Sequence, residues 1–201
     1  MSLFDLKEGD IKFLNPSCFI RRTKDGFVNE NNDILNFNKN VFTPVVVKNF
    51  FKKEDHQRIK HHIYNDLNTS MRSVDTDNFH RTFYHNEFMM RTIHPQLTAD
   101  ACNIFGEEVK PSYSFLSMYN EKGICPFHTD RPQCKYTIDF CIDQDQVWPI
   151  NIQDQDYILE PNDAVCYSGT DSPHYREKIK GKFCNLVFFH FVPVSYDIDL
   201  N

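Results

Sequence analysis

From residue 111 onward the apolar residues come in short runs. These are Tyr113–Tyr119, Tyr136–Ile142, Trp148–Ile152, Tyr157–Leu159, Ala164–Tyr167 and Asn185–Val192. Turn-forming clusters separate them at Asn120–Gly123, Asp143–Gln146, Gln153–Asp156, Pro161–Asp163 and Ser168–Pro173. Short strands at this spacing, with no helical pattern between them, predict an antiparallel sandwich or barrel. The first half of the chain reads differently. Val41–Lys48 predicts a strand, because Val45, Val46 and Val47 follow Pro44. Ile59, Ile63 and Leu67 recur every four residues and predict a helix over 54–67. A second helix is predicted over 95–105, with Pro95 near its start and Gly106 at its C-terminal cap. Residues 23–40 and 68–92 read as loops available for specificity. Helices first and strands afterward give an α+β layout in which the helices cover one face of the strand-rich half.

Composition narrows the class. The chain has 201 residues, 40% of them hydrophobic, which suits one domain with a real core. No repeat, linker or composition break divides it, so residues 1–201 read as a single domain, with 1–110 preceding a core at 111–194. The longest apolar stretch, Leu186–Val194, is interrupted by His190 and Pro193 and falls short of the ~20 residues of a membrane span. Met1–Lys12 mixes charged and apolar residues, unlike a secretory leader. The net charge of −6 argues against a nucleic-acid or anionic-membrane partner. The seven cysteines are scattered, with no CxxC pair, and read as reduced thiols of a cytoplasmic protein.

The candidate chemistry lies in His128-Thr129-Asp130. With nine His among 201 residues and nineteen Asp in the sequence, about 0.9 His-x-Asp triplets are expected by chance, so the triplet alone says little. Its context says more. Side chains two apart in a strand point to one side, so this His and Asp can hold one ion. His174 follows 46 residues later, about four short strands on, enough to return beside the pair. Two His and one carboxylate make the facial triad of non-haem Fe(II) sites, with positions left open. His85-Asn86-Glu87 is a competing triplet, but no His follows it in a comparable turn. His61 and His62 are adjacent on the predicted helix and point about 100° apart, so they are poor co-ligands.

The ordered series around these residues resembles a known pattern. It runs through Tyr119, Gly123, His128-Thr129-Asp130-Arg131-Pro132, Trp148-Pro149, Leu159-Glu160-Pro161-Asn162-Asp163, Tyr167-Ser168-Gly169, His174-Tyr175-Arg176 and Phe188–Val192. It is similar to the double-stranded β-helix (jelly-roll, cupin-like) of the 2-oxoglutarate/Fe(II)-dependent oxygenases, on the prolyl-hydroxylase-like side. The resemblance covers 111–192. It implies His128, Asp130 and His174 as metal ligands and Tyr119 as a hydrogen-bond partner of the 2-oxoglutarate tail. It sets Pro161-Asn162-Asp163 in place of a Pro-Gly-Asp turn, an exchange that suits a left-handed position. One departure matters. The family places an Arg or Lys about ten residues after the distal His, where this chain has Phe183 and Cys184. Arg176 and Lys182 are the two substitutes for the tail, with Arg131 a third unless it pairs with Glu177.

The resemblance further implies Fe(II), 2-oxoglutarate and O₂ as cofactor and cosubstrates, and succinate as a product. Hydroxylation of an unactivated C–H bond of a small metabolite, such as an amino acid or its derivative, is the expected reaction. Asp130 argues against halogenation, which needs a small residue there. A protein side-chain hydroxylase and a catalytically inactive jelly-roll binding module are the alternatives. Trp148 and His190 read as core residues, Cys125 and Cys134 as buried spectators. Arg81 and Arg91 stand between binding an anionic substrate and a plain surface role.

Overall fold

The computed structural model describes residues 7–15, 18–24, 26–29, 34–35 and 42–197. Four short strands open the chain: β1 (Ile11–Asn15), β2 (Cys18–Thr23), β3 (Gly26–Asn29) and β4 (Ile34–Leu35). They pair in chain order as a separate antiparallel sheet. The 23–40 segment therefore contains strands where a loop was expected; its residues 25, 30–33 and 36–40 lie outside the described residues. So does Val41, and the predicted strand at 41–48 forms over β5 (Val45–Val47).

The helices follow. α1 (Lys53–Asn65) buries Ile59 and Ile63, the four-residue stripe of the sequence. The segment 68–92, expected as loop, holds β6 (Ser73–Asp75), β7 (Arg81–His85) and α2 (Phe88–Ile93). Glu87 starts α2, its carboxylate accepting from the Met89 and Met90 amides. The predicted second helix divides into a 3₁₀ turn (His94–Leu97) and α3 (Thr98–Phe105). Gly106 closes α3 in the left-handed conformation, as its position predicted.

The remaining strands are β8 (Val109–Asn120), β9 (Cys125–His128), β10 (Tyr136–Gln144), β11 (Ile150–Ile152), β12 (Gln155–Tyr157), β13 (Ala164–Tyr167), β14 (His174–Arg176) and β15 (Phe183–Pro193). They build two sheets. A seven-stranded sheet has the order β5-β13-β10-β15-β8-β7-β6, and a four-stranded sheet has the order β12-β11-β14-β9. Every described strand pair is antiparallel.

Period two explains why β10 and β15 read as continuous apolar runs. Ile138, Phe140 and Ile142, with Val187, Phe189 and Phe191, pack under α1, α2 and α3. The alternate residues Cys141, Cys184 and Leu186 pack between the two sheets with Trp148, Ile150, Val165 and Tyr167. His56 of α1 ties the helix to the sheet through its Nε2 and the Ile142 carbonyl, 2.7 Å apart. No described helix is long and apolar enough to cross a membrane. Cys102, Cys125, Cys134, Cys141, Cys166 and Cys184 carry free thiols.

Asn162 stands at φ 78°, the left-handed conformation its place in the turn required. Its side chain also accepts from the Phe51 amide (3.2 Å) and donates to the Phe51 carbonyl (2.9 Å), tying the turn to the start of α1. Asn162→Gly keeps the backbone and loses both bonds, so urea unfolding should show a loss of about 1–2 kcal/mol.

His94 is buried against Phe189 and Phe191, its Nε2 without a partner among the described residues. Burial lowers its pKa from 6.5 to about 3. Above 6.5 it is neutral in both states and contributes no pH dependence. Below that, the unfolded chain takes up a proton that the folded one refuses, and stability falls. Between pH 6.5 and about pH 4.5 the wild type should lose roughly 2–3 kcal/mol more than His94→Leu. Denaturant melts at the two pH values measure this difference; equal losses would count against it.

Candidate metal centre

The pairing of β9 with β14 sets His128 opposite His174. Asp130 lies just past the end of β9, and its amide donates to the Gly169 carbonyl at 2.9 Å. The three ligand atoms converge. His128 Nε2 is 3.4 Å and His174 Nε2 is 3.8 Å from Asp130 Oδ1. Adjacent ligands of a first-row ion bound at about 2.1 Å stand about 3 Å apart, so the set closes on an ion with small shifts.

Both imidazoles are oriented the same way. His128 Nδ1 is 2.7 Å from the Pro126 carbonyl, and His174 Nδ1 is 2.8 Å from the Ser172 carbonyl. A carbonyl only accepts, so each Nδ1 carries a proton and each Nε2 lone pair is left for a metal. Burial pushes His174 down to about 4, which keeps it neutral. Burial lowers His128 too, but Cys125 and Asp130 outweigh it and raise this group. Burial would raise Asp130; His174 and His128 instead hold its carboxyl well below the usual range.

Gly169 makes room for the carboxylate. A Cβ built there would fall inside contact distance of Asp130 Oδ2 and of the Cys134 carbonyl oxygen. A donor set of two imidazoles and one carboxylate fits a divalent first-row ion. A second trio, Asp130, Cys134 and His190, also has its ligand atoms within 4.8 Å of one another. Burial pushes the Cys134 thiol up to about 12, and it bonds the Tyr113 hydroxyl at 2.9 Å. That thiol keeps its proton at neutral pH and is a poor ligand. His190 is buried and bonded to Thr137 at 3.0 Å, and it also lines the cavity beside the triad, where a core position was expected.

The triad opens into a cavity of about 320 Å³. Tyr119, Arg176, Phe115 and Phe188 line it, together with Arg81 and Phe79 from β7 and the turn before it. Tyr119 is buried against Trp148, as the core reading of Trp148 expected, with ring centroids 4.8 Å apart. Arg176 faces the cavity two residues after His174. Its Nη2 lies 2.6 Å from Asp139, which is fully buried, and its Nη1 donates to the Trp148 carbonyl. Burial pushes Asp139 up and Arg176 opposes it, while that carboxylate keeps the guanidinium charged against its own burial.

Lys182 is a correction. It sits on an exposed turn where its amide bonds Asp145, and it does not line the cavity. Tight turn geometry, not a bulge toward the barrel, follows Gly181, where a Cβ would strike Asp145. Arg131 is exposed and donates to the Tyr113 hydroxyl at 3.2 Å, not to Glu177. The competing triplet also resolves. Glu87 caps α2 and bonds His62 at 2.9 Å, while His85 stacks on Tyr113.

Sequence reasoning missed Asp139 and the work of Gly169. Asp139 had a signal: within Tyr136–Ile142 it shares the parity of Thr137 and Cys141, the face turned from the helices. Gly169→Ala, with its Cβ inside contact distance of a backbone carbonyl as well as of the carboxylate, should shift this turn, lower stability and weaken Fe(II) or Ni(II) binding roughly 10–100-fold. Isothermal titration beside a circular dichroism spectrum measures this, and wild-type affinity would contradict the crowding argument.

No protein-family profile and no curated sequence matches the chain. Solved structures do. The 2-oxoglutarate-dependent carbocyclase SnoK from nogalamycin biosynthesis is 8% identical, with a TM-score of 0.64 over 78% of this chain and 81% of that one. HygX from Streptomyces hygroscopicus, with nickel, 2-oxoglutarate and hygromycin B bound, is 9% identical at 0.61, over 78% and 85%. The collagen prolyl hydroxylase of Paramecium Bursaria Chlorella virus-1, in complex with 2-oxoglutarate, is 8% identical at 0.59, over 75% and 96%. Likeness at this identity speaks to architecture, and the chain accordingly has the double-stranded β-helix fold of the 2-oxoglutarate- and Fe(II)-dependent oxygenases.

Proposed function

We propose that the chain is a non-haem Fe(II)- and 2-oxoglutarate-dependent oxygenase that hydroxylates a small metabolite, such as an amino acid or its derivative. The observation that carries this is the convergence of two Nε2 lone pairs and one carboxylate at the mouth of a cavity, both imidazoles fixed by backbone carbonyls. The bound iron would supply the oxidising chemistry, coupling decarboxylation of 2-oxoglutarate to oxidation of a C–H bond by O₂.

The protein's own residues do the rest. His128, Asp130 and His174 would occupy one face of the ion and leave the cavity side for small molecules. Asp130 lowers the charge that the site presents. Tyr119 stays a neutral phenol, pushed up to about 12 by burial, and can donate its hydroxyl to a carboxylate. Arg176 and Asp139 brace the two sheets across the barrel and hold the cavity open beneath the ligands. Phe79, Phe115 and Phe188 keep its wall apolar, which limits water near the ion. The volume of about 320 Å³ suits a small substrate beside 2-oxoglutarate, or the reacting end of a larger one.

Anaerobic addition of Fe(II) and 2-oxoglutarate should give a weak visible charge-transfer band with the wild type and none with Asp130→Ala. Succinate release and O₂ uptake should rise with the right metabolite from a screened set and vanish in His128→Ala. A wild type that binds neither iron nor 2-oxoglutarate would sink the proposal.

A further inference from the structure

If the cavity takes 2-oxoglutarate as proposed above, its far carboxylate needs a cation, and the three residues expected to supply it, Arg176, Lys182 and Arg131, do not offer a free and buried one. Lys182 lies outside. The charge of Arg176 is balanced by Asp139 at 2.6 Å. Arg131 stands exposed at the rim on Tyr113. The last strand carries Phe183 and Cys184 where the resemblance called for Arg or Lys.

The ladder shows where another cation stands. Cys184 of β15 pairs with Tyr119 of β8, and Tyr119 pairs with Arg81 of β7. Directly paired residues share a face of the sheet, so Cys184, Tyr119 and Arg81 form one rung that looks into the barrel. The cation missing from the last strand reappears two strands along that rung, on a strand outside the double-stranded helix.

Arg81 is built for an anion. Both of its hydrogen bonds leave from Nη1, to the Ser117 and Tyr119 hydroxyls at 3.1 Å each. Its Nε is buried without a partner, and no carboxylate among the described residues pairs with it. That leaves the side-on fork of Nε and Nη2 for a bidentate carboxylate. The guanidinium lies over the Phe79 ring at 4.0 Å and the Phe115 ring at 4.9 Å, which shield it from water and hold it flat. Phe79 in turn meets the His128 ring edge-on at 6.3 Å, so one aromatic ring spans the gap between the guanidinium and a metal ligand. The Tyr119 hydroxyl accepts from Arg81 and keeps its own proton to donate. We infer that Arg81, with Tyr119, holds the far carboxylate of the oxo-acid cosubstrate and thereby selects a dicarboxylate.

The test compares 2-oxoglutarate with 2-oxopentanoate, which has a methyl group in place of the far carboxylate. Dissociation constants come from anaerobic titration of the Fe(II)-loaded protein, followed by the charge-transfer band. Quenching of Trp148, the one tryptophan of the chain and a neighbour of Tyr119, gives a second readout. The wild type should prefer 2-oxoglutarate by about 100-fold. Arg81→Met and Arg81→Gln should bring that preference below about 10-fold with 2-oxopentanoate affinity unchanged, and Arg81→Lys should restore part of it. Circular dichroism checks that each variant folds. Retention of the wild-type preference in all three variants would overturn the inference, as would its collapse in Arg176→Met alone, which would move the tail to Arg176. A wild type that binds neither oxo acid would instead fail the oxygenase reading itself.

Discussion

The register between β9 and β14 is the constraint on which the rest depends. His128 stands opposite His174 across that pair. A slip of one residue would turn one imidazole to the other face of the four-stranded sheet and leave only two of the three candidate ligands together. The two Nδ1 bonds to carbonyls two residues back set only the ring orientations; the register is held by the Asp130 amide on the Gly169 carbonyl and the Gly169 amide on the Lys135 carbonyl. The last two tie the turn before β14 to the segment after β9, so the carboxylate and the distal imidazole are fixed by one set of backbone contacts.

The Arg176–Asp139 pair sits deeper, between strands of opposite sheets. Removing two charges from water is costly, and Asp139 Oδ1 has no partner among the described residues. Such a pair adds little net stability over apolar residues of the same volume. Its effect is spatial: it fixes the separation of the sheets below the ligands where a purely apolar core could close. It also removes Arg176 from the free charges of the cavity, leaving Arg81 on β7, for which no carboxylate partner stands among the described residues.

Much of this was legible in the chain. Ile59 and Ile63 marked α1, Gly106 marked the end of α3, and the alternation of apolar runs with turn clusters marked β8, β10, β13 and β15. His128, Asp130 and His174 were legible as a set because order and spacing outweighed their abundance. Less was legible before residue 111. β7 is five residues with one of them buried, and α2 is a turn and a half, too short for a helical period to appear. The strands within 23–40 are two to four residues long and join β1 and β2 in a small separate sheet, so no long apolar run announces them.

The sequence by itself therefore determined the strand-rich half and the donor set, because side-chain parity and turn residues act over a few positions. Tertiary structure decided which charges the site keeps. Asp139 took Arg176, the turn after Gly181 put Lys182 in solvent, and the pairing of β7 with β8 brought Arg81 onto the rung of Tyr119. Those outcomes depend on partners 37 or more residues away in the chain. Pairing between strands, not any local pattern, selects such partners, and a linear reading has no access to it.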